Sequence, residues 1–104
     1  MLASHTTPFL RSLLLAVLLV AAGCQTAPPV QEMSDARQAI MAAKDAGAAK
    51  HAADALEAAE GYLQSAEKYL NSRNYAIARR DALNAKEKAL DALKRSEIES
   101  DTEN

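Results

Sequence analysis

A stripe of small and aliphatic side chains in residues 52–70 constrains the fold of this chain more than any other feature. Its members are mostly three or four positions apart, namely Ala52, Ala55, Leu56, Ala59, Leu63, Ala66 and Leu70. Such spacing places side chains on one face of an α-helix. Of the 81 residues after Gly23, twenty are alanine and none is Phe or Trp. Because alanine forms helices readily but buries little surface, the sequence predicts helices around a thin core.

Another helix is predicted before this stripe. Ser34 is a candidate N-cap, Asp35 stands in the first turn, and Gly47 is the expected stop after Ala46. One face of this helix carries small and apolar residues, which are Met33, Ala36, Ile40, Ala43 and Gly47. Nothing in residues 48–51 forbids helix, so the sequence leaves open whether the first and second helices are continuous.

A third helix is predicted after a turn at residues 71–74. It starts near Tyr75 and ends near Ser96, and residues 97–104 are expected to form an acidic, disordered tail. Its apolar face comprises Ala78, Ala82, Ala85, Ala89 and Leu93, widened by Leu83 and Leu90. The last two helices carry opposite net charge, which favours their antiparallel pairing. The expected fold is therefore all-α, an antiparallel hairpin with an additional N-terminal helix, within residues 32–96.

The N-terminal part of the chain differs in composition from the rest. An apolar run of about 11 residues occupies 12–22, whereas a membrane-spanning helix needs roughly 17–25 residues. The run has the length of a signal-peptide core, with Arg11 before it and small residues after it, and a permanent membrane helix is the alternative. All 14 acidic residues follow Cys24. This acidic balance argues against nucleic acid as a partner.

The residues Ala21-Ala22-Gly23-Cys24 resemble a bacterial lipobox, with Ala21 where Leu is usual. The resemblance implies that residues 1–23 are a lipoprotein signal peptide, cleaved between Gly23 and Cys24. It also implies that Cys24 carries a covalent lipid, and we expect no other cofactor. The alternative is an ordinary signal peptidase that leaves a free thiol.

Residues 24–31 are expected to form the lipidated start and an extended tether, because Pro28 and Pro29 favour polyproline conformation. Gln25 replaces the Asp that retains some lipoproteins in the inner membrane. By resemblance, this implies anchoring in the outer membrane, with the domain facing the periplasm, and inner-membrane retention is the alternative.

Residues 62–90 resemble one tetratricopeptide-type hairpin. The matching positions are two aromatic and four small residues, namely Tyr62, Ala66, Tyr69, Ala78, Ala82 and Ala85. The sequence departs from the repeat at Ser65, where Leu is usual, at Ala82, where Phe is common, and at Leu90, where Pro is expected. Such repeats usually need about three copies to bury a continuous core, and this chain carries one.

The whole chain after Cys24 is also similar to small Gram-negative lipoproteins that carry an alanine-rich helical domain of unknown function. The shared features are the lipobox, the Pro-Pro segment, the Ala-Gly-Ala-Ala sequence at residues 46–49 and the Asn-Tyr-Ala-Ile-Ala-Arg sequence at residues 74–79. The similarity implies an envelope location and supplies no catalytic residues.

No residue pattern predicts an enzyme or a metal site. His51 is the only histidine after Cys24, and a lone histidine is more often a surface residue than a metal ligand or a catalytic group. The tyrosines Tyr62, Tyr69 and Tyr75 are the candidate partner-binding residues, because Tyr is enriched at interfaces, and ordinary packing is the alternative.

Two functions remain. One is a lipid-anchored, non-catalytic structural or interaction module with a membrane anchor and an envelope-protein or peptidoglycan-associated partner. The other is a self-assembling coiled coil similar to murein lipoprotein. The prolines, Gly47 and the turn at residues 71–74 interrupt the heptads that this second function needs. The thin core favours pairing, and the sequence leaves open whether the domain pairs weakly with itself or with a separate partner.

Overall fold

Helices form wherever the sequence carries alanine at helical spacing. We describe residues 8–15 and 27–104 of the chain from a computed structural model. The helices are α1 (residues 8–15), α2 (Val30–Asp45), α3 (Ala48–His51), α4 (Ala53–Asn71) and α5 (Tyr75–Glu103). Those residues contain no strand, and the prediction of an all-α fold is confirmed. None of the described helices is long and apolar enough to cross a membrane.

Helix α2 begins earlier than the sequence predicts. Its N-cap is Pro29 rather than Ser34, and Ser34 lies inside the helix. Proline is tolerated at a helix start because the first backbone N–H groups have no partner within the helix. Pro29 is also fully buried. The packed part of the chain therefore reaches back into the predicted tether, and the prediction of a helical domain starting at residue 32 is corrected.

Two breaks separate α2 from α4. Gly47 has a φ of 88°, in the left-handed region that favours glycine, and its N–H donates to the carbonyl of Lys44 at 3.0 Å. Ala52 leaves the helical conformation with φ −150° and ψ 46°. The prediction of Gly47 as a helix stop is confirmed, and the helices before and after residues 48–51 are not continuous.

Helix α5 continues to Glu103, beyond the end predicted near Ser96. Glu103 Oε1 lies 3.6 Å from Nζ of Lys50, and Glu103 Oε2 lies 4.0 Å from Nε2 of His51. Ser100 donates through Oγ to the carbonyl of Ser96 at 2.7 Å, which satisfies the hydroxyl within the helix. Residues 97–103 are therefore helical, and the expectation of a disordered tail is corrected.

Helices α4 and α5 form the predicted antiparallel hairpin, joined by the turn at residues 72–74. Helix α2 packs against both of them. Arg37 of α2 pairs with Glu67 of α4 at 3.1 Å, and Lys44 of α2 pairs with Glu60 of α4 at 2.6 Å. Because the later residue of α2 meets the earlier residue of α4, these two helices are antiparallel.

Toward α5, Glu32 pairs with Arg79 at 3.1 Å and Asp35 with Lys86 at 3.6 Å, so α2 and α5 are parallel. Each of these contacts is partly exposed and contributes little alone. Together they specify the position of α2 on the hairpin.

The core consists mainly of alanine. Seven alanines of α4 and α5 are fully buried, namely Ala59, Ala66, Ala78, Ala82, Ala85, Ala89 and Ala92. Leu63 packs against both hydrophobic clusters of the bundle, the one around Ile40 and Leu56 and the one around Met33. Leu83 and Leu90, predicted to widen the stripe of α5, are instead 50% and 47% exposed.

Candidate functional site

Arg79 holds the beginning of the domain against the hairpin. Its Nη2 donates to the carbonyl of Ala27 at 2.8 Å, and its Nε donates to Oε1 of Glu32 at 3.1 Å. Since Arg79 lies in the second turn of α5, Ala27 sits at the end of the bundle that carries the α4–α5 turn. The predicted lipidation and cleavage residues, Cys24 and Gly23, lie outside the described residues.

Two of the three predicted tyrosines share a shallow groove between α4 and α5. The groove encloses about 560 Å³ and is lined by Ala58, Gly61, Tyr62, Ser65, Tyr69, Arg80 and Asp81. Tyr62 is 36% exposed and Tyr69 is half-buried. Tyr75 lies in the first turn of α5, half-buried, and does not line the groove.

The tyrosine groove lies away from α2. Glu60 and Glu67 pair with α2, whereas Tyr62 and Tyr69 follow them by two residues. Two residues correspond to about 200° around an α-helix, since each residue turns it by about 100°. The tyrosines therefore stand on a side of α4 that α2 does not cover.

A buried carboxylate, Asp81, forms the floor of this groove. The residue is only 5% exposed, and its carboxylate accepts a hydrogen bond from Ser65 Oγ at 2.7 Å. Arg80 stands at the rim with its Nη2 3.5 Å from Oδ1 of Asp81 and its side chain 68% exposed. The groove thus combines aromatic surface, a held carboxylate and an exposed guanidinium.

The hydrogen bond between Ser65 and Asp81 is not predicted from the sequence. Ser65 stands where the tetratricopeptide pattern has Leu, and Asp81 is three residues after Ala78 and four before Ala85, on the buried side of α5. The sequence does show a polar residue beside the apolar stripe of each helix, Ser65 on α4 and Asp81 on α5. The contact itself depends on the register of the hairpin, which the sequence pattern does not specify.

A second concavity of about 500 Å³ lies between α2 and α4. Its charged lining includes Lys44, Glu57, Glu60 and Glu67, beside the apolar Ile40 and Leu63. Glu60 and Glu67 are engaged by Lys44 and Arg37 respectively. The charges here serve the α2–α4 contact, so this concavity is a less suitable binding site than the tyrosine groove.

One exposed ion pair joins the far ends of α4 and α5. Arg95 donates to both carboxylate oxygens of Asp54, at 2.9 and 3.1 Å. These hydrogen bonds from Arg95 hold the pKa of Asp54 below its ordinary value, and the pKa of Arg95 is raised by the same contact. The sequence predicts attraction between the oppositely charged helices α4 and α5, and this ion pair is a direct contact of that kind between them.

In residues 8–15 and 27–104, no three His, Cys, Asp or Glu side chains are grouped so as to hold a metal ion. Comparison with models of known families, with curated proteins and with solved structures finds no match to this chain.

Proposed function

We propose that this chain is a lipid-anchored protein of the bacterial cell envelope, and that its helical domain is a non-catalytic structural and interaction module. The observation that carries the proposal is the change of composition at Cys24. The apolar run at residues 12–22, which ends in two alanines, and Gly23 precede this cysteine. A polar, alanine-rich chain follows it.

The anchor fits the physical properties of the N-terminal segment. An apolar run of about 11 residues is too short to span a hydrocarbon layer of about 30 Å. Two or more acyl chains on one cysteine give stable anchoring, at ~0.8 kcal/mol per buried CH₂. Gln25 after the cysteine favours the outer membrane, with the domain in the periplasm.

The tyrosine groove is the proposed contact surface for an envelope protein or a peptidoglycan-associated partner. Tyr62 and Tyr69 offer aromatic area on a side of α4 that α2 does not cover. Arg80 adds a guanidinium at the rim, and Tyr and Arg are the residue types that contribute most at interfaces. Asp81 is already hydrogen-bonded to Ser65, so it serves the packing of the groove rather than chemistry.

A self-assembling coiled coil has less support than this module. Coiled coils associate through apolar stripes that are left open for another chain. The stripes of α2, α4 and α5 cover one another within one chain, in the clusters around Leu63. Any self-association is therefore expected to use the tyrosine groove.

Labelling with radioactive palmitate in a bacterial host tests the anchor. The Cys24→Ala variant is expected to lose the label, because no other cysteine is present in the chain. The Ala21→Leu variant, which restores the usual first residue of a lipobox, is expected to keep the label and to be processed at least as fast. Label retained by Cys24→Ala contradicts the proposed anchor.

Photo-crosslinking tests the proposed contact surface. A photoreactive residue in place of Tyr62 is expected to crosslink to a distinct partner band in intact cells. The matched control is the same residue in place of Met41, which is 63% exposed on α2. Equal crosslinking from both positions contradicts a specific role for the groove.

A further inference from the structure

The end of the bundle nearest Ala27 carries a concentration of positive charge. We define the basic tip as residues 68–80, which comprise the end of α4, the turn and the start of α5. This segment contains four basic residues, namely Lys68, Arg73, Arg79 and Arg80, and no acidic residue. Glu67 and Asp81 stand immediately before and after this segment, and the whole chain has a net charge of −2.

Three of these four cations point toward solvent. Arg79 is turned inward to Ala27 and Glu32. Lys68 and Arg73 are exposed, and neither forms an ion pair with a carboxylate in the described part of the chain. Arg80 is exposed beside Asp81.

The turn that carries Arg73 is held by backbone hydrogen bonds. The N–H of Asn74 donates to the carbonyl of Tyr69 at 2.8 Å, and the N–H of Arg73 donates to the carbonyl of Leu70 at 3.0 Å. Arg73 adopts a φ of 61°, in the left-handed region. These contacts keep the cations at a defined place on the surface of the bundle.

The opposite end of the bundle is acidic. Residues 97–103 contain four acidic residues and no basic one, and they form the last two turns of α5. Helix α5 has 29 residues, which separates its ends by about 40 Å at the rise of an α-helix. The charge of the domain is therefore polarised along its length.

We propose that the basic tip rests on the anionic phospholipid headgroups of the membrane that holds the lipid anchor. This inference rests on the proposed lipidation of Cys24. Only two residues separate Cys24 from Ala27, and three steps of extended chain span about 10 Å. A lipid on Cys24 thus keeps Ala27 near the membrane surface and brings the basic tip within reach of the headgroup layer.

The chemistry of the basic tip suits an anionic membrane surface. Each Lys or Arg near such a surface strengthens binding about fivefold, and three together about a hundredfold. Tyr69 and Tyr75 lie half-buried in the same segment, and tyrosine is enriched at the boundary between membrane and water. In this orientation the acidic end of α5 points away from the lipid.

Fluorescence quenching on vesicles tests the orientation of the mature, lipidated protein. A fluorophore is attached at Ser72→Cys in the turn or, as a control, at Ala49→Cys in α3 at the far end; both positions are exposed. The vesicles are phosphatidylcholine with or without one part in three of phosphatidylglycerol, and they carry a headgroup quencher. The label at position 72 is expected to be quenched in the anionic vesicles and much less in neutral ones or at high salt. The label at position 49 is expected to be unaffected.

Two matched charge variants identify the residues responsible. Replacing Lys68, Arg73 and Arg80 with Gln is expected to lower the ratio of docked to undocked protein about a hundredfold. Replacing three exposed lysines outside the basic tip with Gln, namely Lys50, Lys88 and Lys94, removes the same charge and is expected to change this ratio little.

Mass spectrometry of the same preparation separates the two proposals. An unmodified Cys24 overturns the proposed anchor and this inference with it. A lipidated Cys24 with equal quenching at positions 72 and 49, or with equal behaviour of the two triple variants, overturns this inference alone.

Discussion

Replacing Gly61 with alanine is expected to stabilise the domain. Gly61 lies inside α4, is exposed, and has no heavy atom within 4 Å of the place where a Cβ would stand. Glycine in a helix interior costs roughly 0.5–1 kcal/mol relative to alanine, because it loses more conformational freedom on folding. The new methyl group meets nothing, so we expect Gly61→Ala to raise the free energy of unfolding by about this amount.

Gly47 provides a matched control in which the same substitution has the opposite sign. Its φ of 88° lies in the left-handed region, and an added Cβ would stand 3.3 Å from Cδ2 of His51. The left-handed conformation costs a residue with a Cβ roughly 1–2 kcal/mol. We therefore expect Gly47→Ala to lower the free energy of unfolding by about that amount.

Thermal unfolding of residues 25–104, followed by circular dichroism, measures both effects. One kcal/mol shifts the Tm of a domain of 60–100 residues by about 4–8 °C. We expect Gly61→Ala to raise the Tm by about 2–8 °C and Gly47→Ala to lower it by at least about 4 °C. A Gly61→Ala variant that melts at or below the wild-type temperature would refute the exposure of this position. A gain that disappears as the protein concentration rises would instead mean that a second copy covers Gly61, which lines the tyrosine groove.

Three further perturbations test the core, the exposed ion pair and the groove. Leu63→Asp is expected to abolish helical circular dichroism at 37 °C, because it places a charge between the two hydrophobic clusters. The control Glu60→Gln, at an exposed ion pair, is expected to lower the free energy of unfolding by less than about 1 kcal/mol. Equal melting curves for the two variants would contradict a core around Leu63. The contribution of Asp54 to stability is present above its unfolded-state pKa and is lost as the pH falls through its lower folded-state pKa. Asp54→Asn is therefore expected to flatten the dependence of the free energy of unfolding on pH below about pH 4. If the wild type and the variant give parallel curves, the contact with Arg95 does not stabilise the fold. If the domain self-associates through the groove, its Tm rises with protein concentration and Tyr62→Ala removes that dependence; a dependence that survives the substitution places the contact elsewhere.

The apolar stripe at residues 52–70 predicts the helix α4, and its first and last members lie within one residue of the helix ends. This succeeds because an α-helix repeats every 3.6 residues, so one face can be identified from intervals alone. The helix end at Gly47 is also predicted from the sequence, because glycine favours the left-handed backbone conformation that this residue adopts. Both features depend on local properties of the chain.

The ends of α2 and α5 depend instead on contacts between distant residues. Arg79 reaches Ala27 across 52 positions, and Glu103 meets Lys50 at the far end of the bundle. Local propensity alone favours Ser34 as an N-cap and a disordered acidic tail. Tertiary contacts override both, which is why these two boundaries were predicted wrongly.

The candidate site divides in the same way. Tyr62 and Tyr69 share a face because they are seven residues apart, and this the sequence predicts. The exclusion of Tyr75 from the groove and the Ser65–Asp81 hydrogen bond follow from the register of α4 on α5. A one-dimensional pattern does not specify that register.

The proposed lipid anchor is tested by the mass of the N-terminal peptide of the mature protein, purified from bacterial membranes. We expect a peptide that begins at Cys24 and carries the mass of a diacylglycerol thioether with an acylated amine. A peptide that begins at another residue, or that contains an unmodified Cys24, would contradict it.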